Sequence, residues 1–316
     1  MRHTVQCDVG GKTLTIESGW IAGQADGSVT LRLGDTVMLI TACMSDKARE
    51  GIDFFPLSVD YEERMYSVGR IPGSFFRREG RPSTEGILAG RLTDRPIRPL
   101  FPKGFRNEVQ VVATILSADQ ENPPDVLSIV GASAALSISS IPFDGPIAGC
   151  RIGYVDGQMV VNPTFEQMES STMELIVAGS KDAVVMVEAG AREISESIIL
   201  DAIEAAQEAN GKIVDAIEEL VKLAGKPKIT IEPPPTPREA AVAAMNDDVR
   251  SRVREAVFAG YEKGERDKAV GVIQSEVAAT LPEDVPSGEV RDAFDSLVDE
   301  VFRKGVLKEN VRADGR

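Results

Sequence analysis

The sequence predicts a mixed α/β (α+β) domain followed by a small all-helical domain. Three observations support this prediction. Apolar and polar residues alternate from Val5 to Val59 in the manner of strands, and after Gly190 the apolar residues recur with the period of a helix. A proline-rich segment then separates two regions of different pattern. We therefore expect two domains in the chain of 316 residues.

Strands, hairpins and one packed helix are predicted for the first domain. The opening strands are "TVQCDV", "LTIES" and "SVTLRLGDTVMLITACM", the first two joined by the turn "GGK". Glu108 to Ala118 form a further strand, and "PDVLSIVGASAALSIS" has the length and small-residue content of a helix packed on the sheet. Two hairpins follow, "IAGCRIGYVDGQMVV" and "STMELIVAGSKDAVVMVEAG", with turns at Asp156-Gly157 and Ser180-Lys181-Asp182.

A helix or helix pair is predicted to close the first domain near Leu223. We place this domain at 1–224, a semi-rigid proline-rich linker at 225–237 and the helical domain at 238–308. The helical face that supports this division comprises Ile194, Ile198, Ala202, Ala206, Ile213, Ile217 and Val221.

Composition limits the environment of the chain. No apolar run approaches the ~20 residues that span a bilayer, and the N-terminus has no apolar signal core, so we expect a cytoplasmic protein without a membrane partner. Cys7, Cys43 and Cys150 are odd in number and widely separated, which indicates neither a disulfide framework nor a zinc ligand set. A reducing compartment agrees with this cysteine usage.

Two catalytic arrangements are excluded by the residues. The single histidine, His3, lies near the N-terminus, so Ser-His and Cys-His nucleophilic catalysis have no base to use. The stretch "GGKT" is not a P-loop, because the first glycine of that motif would fall at Gln6 and the stretch precedes a strand. We interpret it as a hairpin turn.

The charge of the chain is strongly segregated. The formal net charge is -15, which disfavours indiscriminate binding to nucleic acid. The segment from Arg64 to Arg106, however, contains nine arginines and one lysine but only three acidic residues, Glu79, Glu85 and Asp94. An arginine patch on an acidic body would confine a polyanion to one track, because salt screens the distant acids.

Phenylalanines stand inside this basic segment. Phe75 and Phe76 adjoin Arg77 and Arg78 in a loop bounded by glycine and proline. Exposed rings stack on unpaired bases, and the planar guanidinium binds phosphate oxygens bidentately, so this composition is typical of a single-strand nucleic-acid site. The alternative is structural: both rings belong to the core, and Arg91, Arg95 and Arg98 form ion pairs within the fold, with Asp94 or Glu85 as partners for the first two.

Three long motifs of the chain carry a resemblance to a known family. They are "FFPLSVDYEERMYSVGRIPGSFFRREGRPSTEGILAGRLTDRPIRPLFPKGF", "GASAALSISSIPFDGPIAGCRIGYVDG" and "ELIVAGSKDAVVMVEAGA". These motifs resemble the first RNase PH-like domain of the bacterial polynucleotide phosphorylases, and the resemblance, which includes the helical domain that follows, spans nearly the whole chain.

The resemblance implies an activity and an assembly. Members of the family are Mg²⁺-requiring 3'-to-5' exoribonucleases of mRNA degradation that use inorganic phosphate to release nucleoside diphosphates, and the reaction is reversible. They have two RNase PH-like domains separated by the helical domain, then KH-type and OB-fold-type modules, and they form a ring-shaped homotrimer, with RNA degradosome components as further partners. "VRADGR" resembles the start of the second RNase PH-like domain, so 309–316 is expected to begin that domain.

The resemblance also implies that chemistry belongs to the second half. Serines that bind phosphate in the active half correspond here to Pro123, Pro124 and Asp125, and two metal-binding aspartates and a lysine correspond to Met168, Glu174 and Ile176. We therefore expect no catalytic residue and no metal ligand in this segment. The residues expected to guide single-stranded RNA are Phe75, Phe76, Arg77, Arg78, Arg81, Arg91, Arg95 and Arg98.

Two other functions stay open from the sequence. The first is a pure RNA-binding and assembly module, which predicts salt-sensitive RNA binding without phosphate-dependent turnover. The second is pyrophosphoryl transfer of the guanosine pentaphosphate synthetase type, described for actinomycete relatives, which the absence of a P-loop disfavours.

Overall fold

The computed structural model describes residues 1–48, 52, 54–231, 239–260, 262–282 and 285–314. The chain divides into two compact units, Met1–Pro233 and Pro234–Arg316. In the described part of the chain, no helix combines the length and the apolar character that crossing a membrane requires.

A six-stranded sheet opens the first unit. Its strand order is β1-β2-β3-β4-β6-β5, antiparallel except that β5 pairs in parallel with β6. Gly10 and Gly11 join β1 to β2 with φ of 63° and 78°, a backbone that glycine adopts without strain, so "GGKT" is the predicted hairpin. The strands are β1 (His3–Val9), β2 (Lys12–Ser18), β3 (Gly27–Leu33), β4 (Thr36–Met44), β5 (Leu57–Glu62) and β6 (Val109–Ser117).

Both predicted hairpins form a second sheet. Its order is β10-β9-β7-β8, and every pair is antiparallel. The first hairpin turns at Asp156 and Gly157, both with positive φ, as the Asp-Gly signal predicts. The strands are β7 (Ala148–Val155), β8 (Gln158–Val161), β9 (Met173–Gly179) and β10 (Val184–Ala191).

Helix α2 (Asp125–Ile138) forms the centre of the core. Every residue after Asp125 in this helix is buried, and the helix contacts β3 and β4 of the first sheet and β7 of the second. The small residues of its "GAS" stretch allow this close packing. A Cβ on Gly131 would lie 2.4 Å from the Cδ1 atom of Ile40, so a larger residue there would clash with the sheet.

Two further helices flank this core. Helix α1 (Thr84–Ile97) begins at Ser83, whose hydroxyl accepts a hydrogen bond from the Gly86 N–H at 2.9 Å, and it packs on α2 and β5. Helix α4 (Glu196–Ala224) is one continuous helix rather than a pair, and it packs on β1, β7 and β9.

A short helix that was not predicted from the sequence is α3 (Phe165–Ser170). Thr164 and Gln167 form a capping box: the Thr164 hydroxyl accepts from the Gln167 N–H, and the Gln167 amide oxygen accepts from the Thr164 N–H. Single 3-10 turns at Met65–Val68 and Arg98–Leu100 complete the described elements of this unit.

The secondary structure of the second unit is helical in the residues that the structure describes. Val253, Phe294 and Leu297 belong to its own apolar cluster. Residues 232–237 of the predicted linker and residue 238, the first of the predicted helical domain, lie outside the described residues, as do the last two residues of the segment 309–316. The helices are α5 (Glu239–Ala244), α6 (Asp247–Phe258), α7 (Lys263–Ala279) and α8 (Ser287–Glu309).

Candidate nucleic-acid interface

The first part of the basic segment lies in a loop, residues 63–83, between the edge strand β5 and helix α1. Two carboxylates fix its ends. Glu79 accepts hydrogen bonds from the Met65 N–H at 3.2 Å through both oxygens, and Glu63 accepts one from the Ser83 hydroxyl. The loop is therefore closed at its base, and the residues between these contacts project from a fixed position.

At the tip of the loop, two aromatic rings face solvent. Phe75 is 95% exposed and Phe76 is 78% exposed, with ring centroids 5.5 Å apart and an edge-to-face angle of 83°. Arg77 follows with φ of 49° and donates its N–H to the Ser74 carbonyl, which makes a tight turn. The alternative that both phenylalanines are core residues is wrong. Both rings are therefore accessible to a partner.

The arginines divide into two groups. Arg98 holds Asp94 through Nε–Oδ2 at 2.8 Å and Nη2–Oδ1 at 2.6 Å, and Arg95 pairs with Glu188 of β10 at 2.9 Å. Glu188 therefore replaces the expected partners of Arg95. Within the described ranges no ion pair engages the remaining four, and all of them are exposed: Arg77, Arg78, Arg81 and Arg91.

Three predicted arginines line one groove between β5 and α1. Its volume is about 840 Å³, and Arg91, Arg95 and Arg98 share its wall with apolar residues such as Val59 and Ile87. Residues 75–78 are not part of this wall. The structure thus brings the helix arginines together in one place and presents the loop tip separately.

The positions expected to have lost the catalytic groups form a second pocket. Its volume is about 630 Å³, and it is lined by Pro123, Pro124, Asp125, Met168 and Glu174. Ile176 lies elsewhere, because its side chain is buried in β9. Five of the six positions named from the sequence therefore meet in one cavity.

Arg151 lies at the bottom of this pocket and neutralises two of its acids. This side chain is only 8% exposed, and its Nη1 and Nη2 atoms donate to the two Asp125 oxygens at 3.1 and 2.6 Å. Its Nε atom lies 3.0 Å from Glu174 Oε1. Burial opposes the charge of Arg151, but Asp125 and Glu174 outweigh burial and raise its pKa. Arg151 was not among the residues predicted from the sequence, although a charged residue inside the apolar strand "GCRIGY" is a usable signal.

Phosphate has little to bind at this pocket. The N-terminus of α2 favours an anion, but the Asp125 carboxylate already stands there and accepts the Val126 N–H at 2.8 Å. Pro123 and Pro124 have no N–H to donate. An incoming phosphate would therefore meet a carboxylate of like charge.

The donor set does not suit Mg²⁺ either. Mg²⁺ requires oxygen ligands, and among Met168, Glu174 and Ile176 only Glu174 supplies one, which is paired with Arg151. No group of three His, Cys, Asp or Glu side chains in the described ranges is arranged to hold a metal ion.

Comparison with known proteins agrees with this architecture. The family model for domain 1 of the 3' exoribonuclease family matches residues 10–142, and the model for its domain 2 matches residues 145–209. A third model, described as the RNA binding domain of polyribonucleotide nucleotidyltransferase, matches residues 240–316. The crystal structure of rice Rrp46 superposes with a TM-score of 0.54 at 13% identity, covering 70% of this chain and 94% of that one, which supports the fold alone.

Curated relatives are polyribonucleotide nucleotidyltransferases. The protein of Dehalococcoides mccartyi is 47% identical over 310 residues, 98% of this chain and 42% of the relative. That of Thermomicrobium roseum is 50% identical over 326 residues, 99% of this chain and 41% of the relative. The chain thus spans less than half the length of these relatives. It belongs to the 3' exoribonuclease family, and its relatives within that family are polyribonucleotide nucleotidyltransferases.

Proposed function

We propose that this chain is the RNA-guiding part of a phosphorolytic 3'-to-5' exoribonuclease, a polyribonucleotide nucleotidyltransferase that acts in mRNA degradation. Inorganic phosphate is the co-substrate, nucleoside diphosphates are the products, and the reaction is reversible. The observation that carries the proposal is the loop tip, where two exposed phenylalanines lie beside Arg77 and Arg78, whose side chains form no ion pair in the described part of the chain.

This pairing of groups suits single-stranded RNA. Every base has a π-face, so stacking on Phe75 or Phe76 contributes roughly 1–3 kcal/mol per base with little sequence preference. Arg77 and Arg78 bind the phosphates that connect those bases. The family description of residues 240–316 as an RNA binding domain supports a second contact in the helical unit.

The segment itself is proposed to be catalytically silent. Phosphoryl transfer depends on positioning and on neutralising charge by metal and cationic groups. In the second pocket, the buried guanidinium of Arg151 already forms ion pairs with Asp125 and Glu174. We assign Mg²⁺ and phosphate to a second RNase PH-like half, for which the greater length of the relatives leaves room.

Assembly increases the effect of the loop. In a cytoplasmic homotrimeric ring, three copies of the loop would meet one RNA strand at the channel entrance. Once one loop has bound the strand, the other two loops are at high effective concentration, which raises the overall affinity for RNA without new contacts. RNA degradosome components are further proposed partners.

Affinity of the assembled protein for fluorescein-labelled oligo(A) tests the proposal. Replacing both rings, Phe75→Ala/Phe76→Ala, should weaken binding about tenfold or more, since each ring loses a stacking contact. The matched control is Leu200→Ala, an exposed apolar residue of α4 outside the loop. Unchanged affinity in the double variant would show that the loop does not bind RNA.

A further inference from the structure

A third cavity lies underneath the loop and has no role in the function proposed above. Its volume is about 610 Å³, within the range of small-molecule sites. The loop supplies one wall through residues 63–65, 67, 68, 70 and 79–83, next to Glu62 at the end of β5. The opposite wall comes from Ile115, Gln120, Asn122, Pro124 and Phe165. The loop that carries Phe75 and Phe76 is therefore also the cover of this cavity.

The acidic groups of the lining are already engaged. Glu62 pairs with Arg64 at 3.0 Å, Glu63 accepts from the Ser83 hydroxyl, and Glu79 accepts from the Met65 N–H. Within the described residues, Arg70 and Arg81 have neither an ion pair nor a side-chain hydrogen bond, and both are exposed. These two guanidinium groups are therefore available to an anion such as a phosphate group.

The remaining surface suits a planar apolar group. Phe165 is 48% exposed at the start of α3, and Met65 and Val68 expose apolar atoms across the cavity. Gln120 is held with φ of 63°, and its amide makes no hydrogen bond with the described residues. That amide offers one donor and one acceptor to the edge of a base.

The neighbouring pocket, which contains Arg151, gives a contrast. Four residues line both cavities: Tyr61, Glu63, Pro124 and Phe165. The neighbouring pocket also contains the acidic residues Glu85 and Glu169, and its arginine already forms an ion pair with Asp125. An anion is therefore directed to the cavity under the loop rather than to the pocket beside it.

We propose that the cavity under the loop binds one nucleoside-phosphate unit, with the base against Phe165 and the phosphate at Arg70 and Arg81. The inference rests on the proposed function, because it places the unit beside the RNA-binding loop. Arg81 follows Phe76 by five residues, a span of at most roughly 18 Å, so one short oligonucleotide reaches both sites. The unit belongs either to the RNA strand or to a free nucleotide.

Two probes separate these sources: AMP in titration calorimetry and labelled oligo(A) in anisotropy, both on the full assembled protein. Arg70→Ala and Phe165→Leu should each weaken AMP binding about tenfold, since each removes one main contact. The control Lys103→Ala removes an exposed positive charge outside the cavity. Phe165→Leu keeps an apolar side chain at the start of α3, and thermal melting confirms that each variant is folded.

Each outcome has one meaning. If oligo(A) affinity falls together with AMP affinity, the unit belongs to the strand; if only AMP affinity falls, it is a free nucleotide. AMP binding that is undetectable, insensitive to both variants, or matched by inorganic phosphate alone overturns the inference. Phe75→Ala/Phe76→Ala should leave AMP binding unchanged, so failure of the loop to bind RNA is recognised separately from failure of the cavity.

Discussion

Arg151 of β7 binds both carboxylate oxygens of Asp125, which lies 26 residues earlier at the first position of α2. This pair joins the second sheet to the central helix. It also fills the helix N-terminus with an internal carboxylate, where an anionic ligand would otherwise bind. One contact therefore stabilises the core and removes a phosphate site.

Loss of Arg151 should destabilise the first unit. Arg151→Met leaves Asp125 partly buried without its counter-charge, and breaking a buried pair in this way costs about 3 kcal/mol. Urea unfolding monitored by circular dichroism measures this cost. The control is Arg95→Met, whose pair with Glu188 is about half exposed on both sides and should contribute at most about 1 kcal/mol. Equal costs for the two variants would contradict a structural role for the buried pair.

The chain alone should not shorten RNA by phosphorolysis. With 5'-labelled oligo(A), Mg²⁺ and inorganic phosphate, we expect the substrate to remain at full length on a denaturing gel. The physical reason is that Asp125 repels phosphate and Glu174 is the only oxygen donor among the three positions that match the metal site and the lysine. A descending ladder that requires phosphate would contradict this expectation and would mean that other residues perform the chemistry.

Local pattern predicts much of this fold, because strands and turns are encoded by nearby residues. The alternation in β1 to β4 and the Asp156-Gly157 turn are examples. Helix α3 also had a local signal, the Thr164 to Gln167 capping box, which the sequence analysis did not use.

Pairing between distant elements is different. Arg95 was expected to pair within its own helix, but the fold places Glu188 of β10 beside it. Arg151 in β7 likewise finds Asp125 only after α2 packs between the sheets. Spacing along the chain does not encode these contacts, since tertiary packing decides which elements meet. The exposure of Phe75 and Phe76 was predictable for a simpler reason, because Gly73 and Pro72 place them in a loop.

Asp119 should make stability depend on pH in the acid range. Its carboxylate accepts hydrogen bonds from four backbone N–H groups and two side chains, and thereby fixes the turn that carries Gln120. Burial opposes ionisation of Asp119, but hydrogen bonds from Asn122, Glu121 and Thr36 hold its pKa far below the usual range. Since the unfolded value is about 3.9, the stabilisation is complete above that pH and is lost as pH falls below it.

The test compares the free energy of unfolding of Asp119→Asn with that of the unchanged protein. The difference should be large at pH 7 and smaller at pH 3, because at pH 3 the Asp119 carboxyl of the unfolded chain is protonated, and the Asn variant has no such group. Asp35→Asn is the control, since the exposed Asp35 side chain pairs only with Arg32 among the described residues. A difference that does not change with pH would remove Asp119 as the source of the acid sensitivity.

The loop arginines should determine the salt dependence of RNA binding. Each arginine that contacts a phosphate releases counterions, so log affinity falls with log salt by about 0.7 per contact on a single strand. Arg77→Ala/Arg78→Ala should therefore weaken oligo(A) binding at low salt and reduce that slope by about 1.4. Arg32→Ala removes an exposed arginine that already pairs with Asp35, and its slope should stay unchanged. If the salt slope falls equally in both variants, the electrostatic field of the whole chain attracts the RNA. If the slope falls in neither variant, the loop arginines do not contact phosphate.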